Sequence, residues 1–237
     1  MIIVIATAAF LIGFSKAGVG GTLGPFITVL VALALPADDA IGLLLPMLIV
    51  ADWFTMSAHW RQWVTSIVLR LVAASTVGVA IGSTLVGSVS EAVLRNLIAI
   101  AMLLFAVYYV ATRTQVAARL ALKHAWPAGL ISGFVSALAH LGGPPIFAYL
   151  LTTDLKPRKF VATSAALFAI VNLLKVPAYF FAGLFDGALI ASVWYAWLAI
   201  PVGVIVGRAL VGRIDRSMFD RITTTLLIGG ALVLLVT

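Results

Sequence analysis

Apolar runs long enough to cross a bilayer recur along this chain of 237 residues. A helix needs about 20 such residues to span about 30 Å of hydrocarbon. Stretches 40–58, 64–86, 93–112, 160–182, 188–210 and 219–237 meet that length. Period-2 alternation, the mark of membrane strands, is absent from them. Composition agrees: 63% of residues are hydrophobic and 10% charged, where soluble domains carry about 25% charged. This excludes a soluble enzyme and a disordered chain. With no cysteine there is no disulfide scaffold, thiolate metal site or redox thiol. The net charge of +7 comes from basic residues in short loops between apolar spans, so it does not describe a nucleic-acid-binding surface. The apolar N-terminus lacks a basic leader and runs into glycine-rich sequence, so it reads as mature sequence.

Two further apolar stretches are interrupted. Residues 1–35 are broken by Ser15–Pro25 and residues 124–153 by Ala139–Pro145. The arms beside each break are expected to be about 10–15 residues, roughly 15–22 Å of helix and too short to span.

The interrupted stretches resemble each other. Gly13-Phe14-Ser15-Lys16-Ala17 aligns with Gly133-Phe134-Val135-Ser136-Ala137, and Gly20-Gly21 with Gly142-Gly143. Further on, Val77-Gly78-Val79, Gly82 and Leu85-Val86-Gly87 align with Val202-Gly203-Val204, Gly207 and Leu210-Val211-Gly212. The chain reads as a duplication, with repeats at 1–112 and 124–237 joined by a basic linker at 113–123. Charge bias sets their relative orientation. If each broken segment enters and leaves on one side, Arg61, Arg70, Arg113, Arg119, Lys123, Lys156, Arg158, Lys159, Arg208, Arg213, Arg216 and Arg221 all lie inside. Asp38, Asp39, Glu91, Arg95 and Asp186 then lie outside. The expected fold is an all-α polytopic membrane protein of two inverted repeats. Each repeat has one re-entrant broken hairpin and three transmembrane helices, and both termini lie outside.

Inverted repeats with broken helices place a transporter's site between the breaks. Short helices starting near Thr22–Pro25 and Pro144 aim free N–H groups and positive dipole ends at the membrane centre, which suits an anion. Gly18, Gly20, Gly21, Gly142 and Gly143 permit close backbone approach. Lys16, Asp52, His140 and Lys175 are ionisable groups at depth, where each is a functional candidate. The structural alternatives are a Lys16–Asp52 ion pair, a packing role for His140, and snorkelling of Lys175 towards the outer side. Asp52 either carries a coupling proton or neutralises a lysine. Asn172, Lys175 and Tyr179 recur at helical spacing on one face. Ser15, Thr22 and Ser136 offer hydroxyl donors, with bonding to their own helix as the alternative. The tryptophans, Trp53, Trp60, Trp63 and Trp126 among them, read as interface anchors.

On S-K-A-G-V-G-G in the first half and G-F-V-S-A-L-A-H-L-G-G-P-P in the second, the sequence resembles the sulfite exporter TauE/SafE family of bacterial membrane permeases. The run Asn172-x-x-Lys175-x-x-x-Tyr179-x-x-x-Gly183 is similar to that family's helix after the second hairpin. Thr22, in place of a continued glycine run, and His140 depart from the pattern. The resemblance covers nearly the whole chain. It implies transport of sulfite, sulfoacetate and related organosulfur anions across the bacterial inner membrane, coupled to an ion gradient. No cofactor or metal is expected. A proton or sodium ion as coupling partner and a homodimer remain open alternatives.

The leading expectation is a secondary carrier, working as an exporter, of a small sulfur-containing anion; the second is an anion channel on the same frame. An intramembrane enzyme is disfavoured, since there is no H-E-x-x-H, no G-x-S-x-G and no paired intramembrane carboxylate.

Overall fold

The computed structural model describes residues 1–21, 23–85 and 124–210, with isolated positions between 88 and 107 and between 225 and 232. The expected spans 93–112 and 219–237 fall largely outside the described residues. The linker 113–123, Thr22, Glu91, Arg95, Arg113, Arg119, Lys123, Arg213, Arg216 and Arg221 fall outside them entirely.

The described residues form helices and no strand: α1 (Ile2–Val19), α2 (Gly24–Ala32), α3 (Ala37–Ala58), α4 (Thr65–Ser83), α5 (Ala125–Ala139), α6 (Gly143–Leu150), α7 (Pro157–Phe181), α8 (Gly187–Ser192) and α9 (Trp194–Leu210). Helices α3, α4 and α7 are long and apolar enough to cross a membrane. Their ends follow local chemistry. Pro36 precedes α3, and Asp38 and Asp39 occupy its first turn, where carboxylates favour the positive end of the dipole. Proline opens α7, and the Asp186 side chain caps α8 by accepting from the Ala188 and Leu189 N–H groups.

Two expectations need correction. The first arm α1 has 18 residues, about 27 Å of helix, whereas the second arms α2 and α6 have only 9 and 8. The stretch 188–210 is also not one helix, because Val193 separates α8 from α9. No glycine or proline marks that break. The Ser192 hydroxyl donates to the Leu189 carbonyl at this end of α8.

Packing exchanges helices between the halves. One apolar cluster joins α1, α2 and α3 with Val193, Ala196 and Ile200 at the α9 end. Another joins α6 and α7 with Ile67, Leu71 and Val79 of α4. The exchanged contacts run through glycine. A side-chain carbon at Gly203 would lie 2.1 Å from the Phe10 carbonyl oxygen, and one at Gly78 would lie 2.1 Å from that of Leu130. Likewise Gly13 meets the Ile200 carbonyl and Gly133 the Ser75 carbonyl, each at 2.1 Å from such a carbon. With no side chain in the way, backbones α1–α9 and α4–α5 approach closely, as small residues allow between membrane helices. Trp53, Trp60, Trp126 and Trp194 point outwards, between 59% and 74% exposed.

Candidate functional site

The two breaks end their first arms in the same way. Gly20 adopts the left-handed conformation (φ 74°), and the Gly21 N–H reaches the Ser15 carbonyl at 2.8 Å. His140 does so with φ 58°, and the Leu141 N–H reaches the Val135 carbonyl at 3.4 Å. Both bonds join residues six apart around a left-handed residue, one residue wider than a Schellman closure. Glycine adopts this conformation freely, whereas a residue with a Cβ is disfavoured by about 1–2 kcal/mol. The equivalence also corrects the repeat alignment. Gly20-Gly21 corresponds to His140-Leu141, while Gly142-Gly143 corresponds to Leu23-Gly24 at the start of the second arm.

The histidine is held there by its ring. Its Nε2 lies 3.0 Å from the Ile41 carbonyl and its Nδ1 lies 2.8 Å from Lys175 Nζ. An ammonium can only donate, so Nδ1 accepts and Nε2–H donates to Ile41. Lys175 Nζ also lies 3.2 Å from both the carbonyl and the hydroxyl oxygen of Ser136. Its three protons thus have three neutral acceptors. Lys175 is fully buried, so the snorkelling alternative is corrected: the ammonium turns inward to the second break.

Hydroxyl groups fix the backbone around the breaks. Ser15 Oγ accepts from the Leu23 N–H at 3.0 Å, and Ser132 Oγ donates to the Gly142 carbonyl at 2.7 Å. Thr28 Oγ1 donates to the Ala139 carbonyl at 3.0 Å, tying α2 to the end of α5. The breaks therefore meet. A side-chain carbon at Gly143 would lie 3.3 Å from the Gly21 carbonyl, and one at Gly24 3.2 Å from that of His140. Between them is a cavity of about 30 Å³, lined by Lys16, Gly21, Gly24, Ser136, His140, Gly143 and Asn172, with Leu48 and Phe168 on its apolar side.

Beside this cavity, Lys16 Nζ lies 2.5 Å from Asp52 Oδ1, and Asn172 Nδ2 donates to Asp52 Oδ2 at 2.6 Å. Lys16 also faces the Phe168 ring, 5.4 Å from its centre. The cluster holds two lysines and one carboxylate, all buried. The Lys16–Asp52 pairing, one of the alternatives for Lys16, is present, and Lys16 lines the cavity as well.

Of the residues singled out in the sequence, Lys16, Gly21, Ser136, His140, Gly143 and Asn172 reach the cavity. Lys175 and Asp52 stand one layer behind, each bonded to a residue that lines it. Tyr179 is further back, donating to the Ala137 carbonyl at 2.8 Å. Gly20 packs beside Ser164 and Phe147, and Gly142 beside Ser132 and Ser136, so neither opens to the cavity. Sequence reasoning missed Gly24, Leu48 and Phe168. For Phe168 a signal existed, since it lies one helical turn before Asn172.

No curated protein and no solved structure gave a significant match. The model of the family described as Sulfite exporter TauE/SafE matches residues 5–234. That match takes in both broken segments and every residue of the cluster, and the chain belongs to the sulfite exporter TauE/SafE family.

Proposed function

We propose that the protein is a secondary transporter, working as an exporter, of small organosulfur or sulfur oxyanions such as sulfite or sulfoacetate. The anion binds where the two breaks meet. In this reading the halves 1–112 and 124–237 are inverted repeats, the linker 113–123 is cytoplasmic, and both termini lie outside the bacterial inner membrane. Family membership supports a membrane transporter of the sulfite-exporter type. The observation that carries the anion is the charge count at the cavity: two buried lysines face one buried carboxylate. A buried cation without a counter-charge is costly, and an anion in the cavity supplies one. Asp52 is the candidate for gradient coupling because it touches both Lys16 and Asn172.

Lys16→Met and Lys175→Met keep the apolar stem and remove the charge. A charge-assisted hydrogen bond contributes about 1.5–3 kcal/mol, so each variant that loses one should bind sulfite or sulfoacetate about 10- to 150-fold more weakly. Affinity measured in detergent, on variants shown to be folded, checks this. Wild-type affinity in both would remove the electrostatic basis of the reading. In proteoliposomes, saturable gradient-driven flux supports the carrier, whereas electrodiffusive current beyond carrier rates supports an anion channel.

A further inference from the structure

A second basic cavity lies away from the breaks. It occupies about 600 Å³ and is lined by Arg61, Gln62 and Trp63, from the turn between α3 and α4, and by Lys156–Lys159 at the start of α7. We propose that it is a second anion site, for a phosphate or sulfonate oxyanion at the membrane surface. Four observations converge on this.

First, Arg61, Lys156, Arg158 and Lys159 line it without a carboxylate among them, and none has an ion pair among the described residues. Second, no side chain caps α7, whose positive end opens the Lys156–Lys159 segment. Third, Arg61 holds a left-handed backbone (φ 57°), which glycine would adopt more easily. An arginine there adds a guanidinium, suited to bidentate oxyanion contact, to the lining of the cavity. Fourth, the cavity sits where α3 ends and α4 and α7 begin, at the ends of three helices that are each long and apolar enough to cross a membrane. Trp60 and Trp63 meet there edge to face, with ring centres 5.6 Å apart, as expected at headgroup depth.

The opposite end of the bundle provides a contrast. There the turn 182–186 packs on α3, with the Leu184 carbonyl against Gly42. That end carries Asp38, Asp39 and Asp186, and segments 33–41 and 182–190 contain no basic residue. The basic cavity is therefore a feature of one face. At about 600 Å³ it exceeds what sulfite alone would fill, and it suits an oxyanion borne on a larger molecule, such as a lipid headgroup, or one with its water.

Binding to purified protein tests the site, with two probes to identify the source. Phosphatidylglycerol in nanodiscs, against phosphatidylcholine alone, tests the lipid source, and inorganic phosphate in detergent tests the free one. Retention of either probe is read by native mass spectrometry or thermal shift. Replacing Lys156, Arg158 and Lys159 together by Gln should weaken binding about a hundredfold, at roughly fivefold per basic residue. Arg61→Gly separates binding from structure. It relieves the left-handed backbone, so stability should hold or rise while anion binding falls about fivefold. Lys175→Met, which tests the site between the breaks, should leave this binding unchanged. Binding of one probe that the triple variant loses supports the site and identifies the source. Binding of neither probe, or equal binding by wild type and triple variant, overturns it.

Discussion

Asp52→Asn is expected to destabilise the protein by about 3–5 kcal/mol, the usual cost of removing one partner from a buried ion pair. Asp52 is 1% exposed and Lys16 6%, so the ammonium left behind is buried without its counter-charge. An asparagine offers one carbonyl oxygen where the carboxylate serves both Lys16 and Asn172. Combining Lys16→Met with Asp52→Asn removes both charges and should restore most of the lost stability. Transport should stay lost in the double variant, because the cavity then lacks a lining cation. Thermal unfolding of the detergent-solubilised single and double variants provides the comparison. Equal stability in all of them would show that the pair is not buried as described.

Gly203→Ala and Gly78→Ala should each destabilise by about 1–3 kcal/mol, the range for overpacking. In both cases the new methyl would lie 2.1 Å from a carbonyl oxygen of the facing helix, so the backbones must part. Because the two contacts are in separate helix pairs, the effects should add. Gly187→Ala is the control. A carbon there meets nothing within 4 Å, so stability should match or exceed that of the wild type. Monodispersity on size exclusion and thermal unfolding report both effects. An unaffected Gly203→Ala would mean that α1 and α9 are not in backbone contact.

Much of this arrangement is legible in sequence where it depends on backbone chemistry. Glycine and proline interrupt apolar runs, and the helix ends at Gly20 and Gly24, and around Gly142, fall within those interruptions. The matched glycines Gly78 and Gly203 stand out because close packing requires a missing side chain. Asn172, Lys175 and Tyr179 share a buried face because three- and four-residue steps return to one side of a helix. Other features have no local signal. The left-handed residue at the second break is His140, which sequence alone does not distinguish from a helical residue, and this misplaced the alignment by two positions. The break at Val193 has no glycine or proline to mark it. The depth of Lys175 depends on acceptors 35 and 39 residues away.

The clasp of α1 by α9 also orders events on the ribosome. At about 5–20 residues per second, residues 20–210 take about 10–40 s to emerge once α1 is complete. Throughout that interval the Gly13 and Gly18 face of the nascent chain lacks the α9 backbone it will finally meet. The α4–α5 clasp waits only for residues 84–139, about 3–11 s at the same rate. Helix α1 therefore waits longer for its partner helix than α4 does, and its glycine face is sheltered by the insertion machinery or by lipid meanwhile. A nascent chain arrested before Trp194 leaves that glycine face without the partner helix that finally covers it.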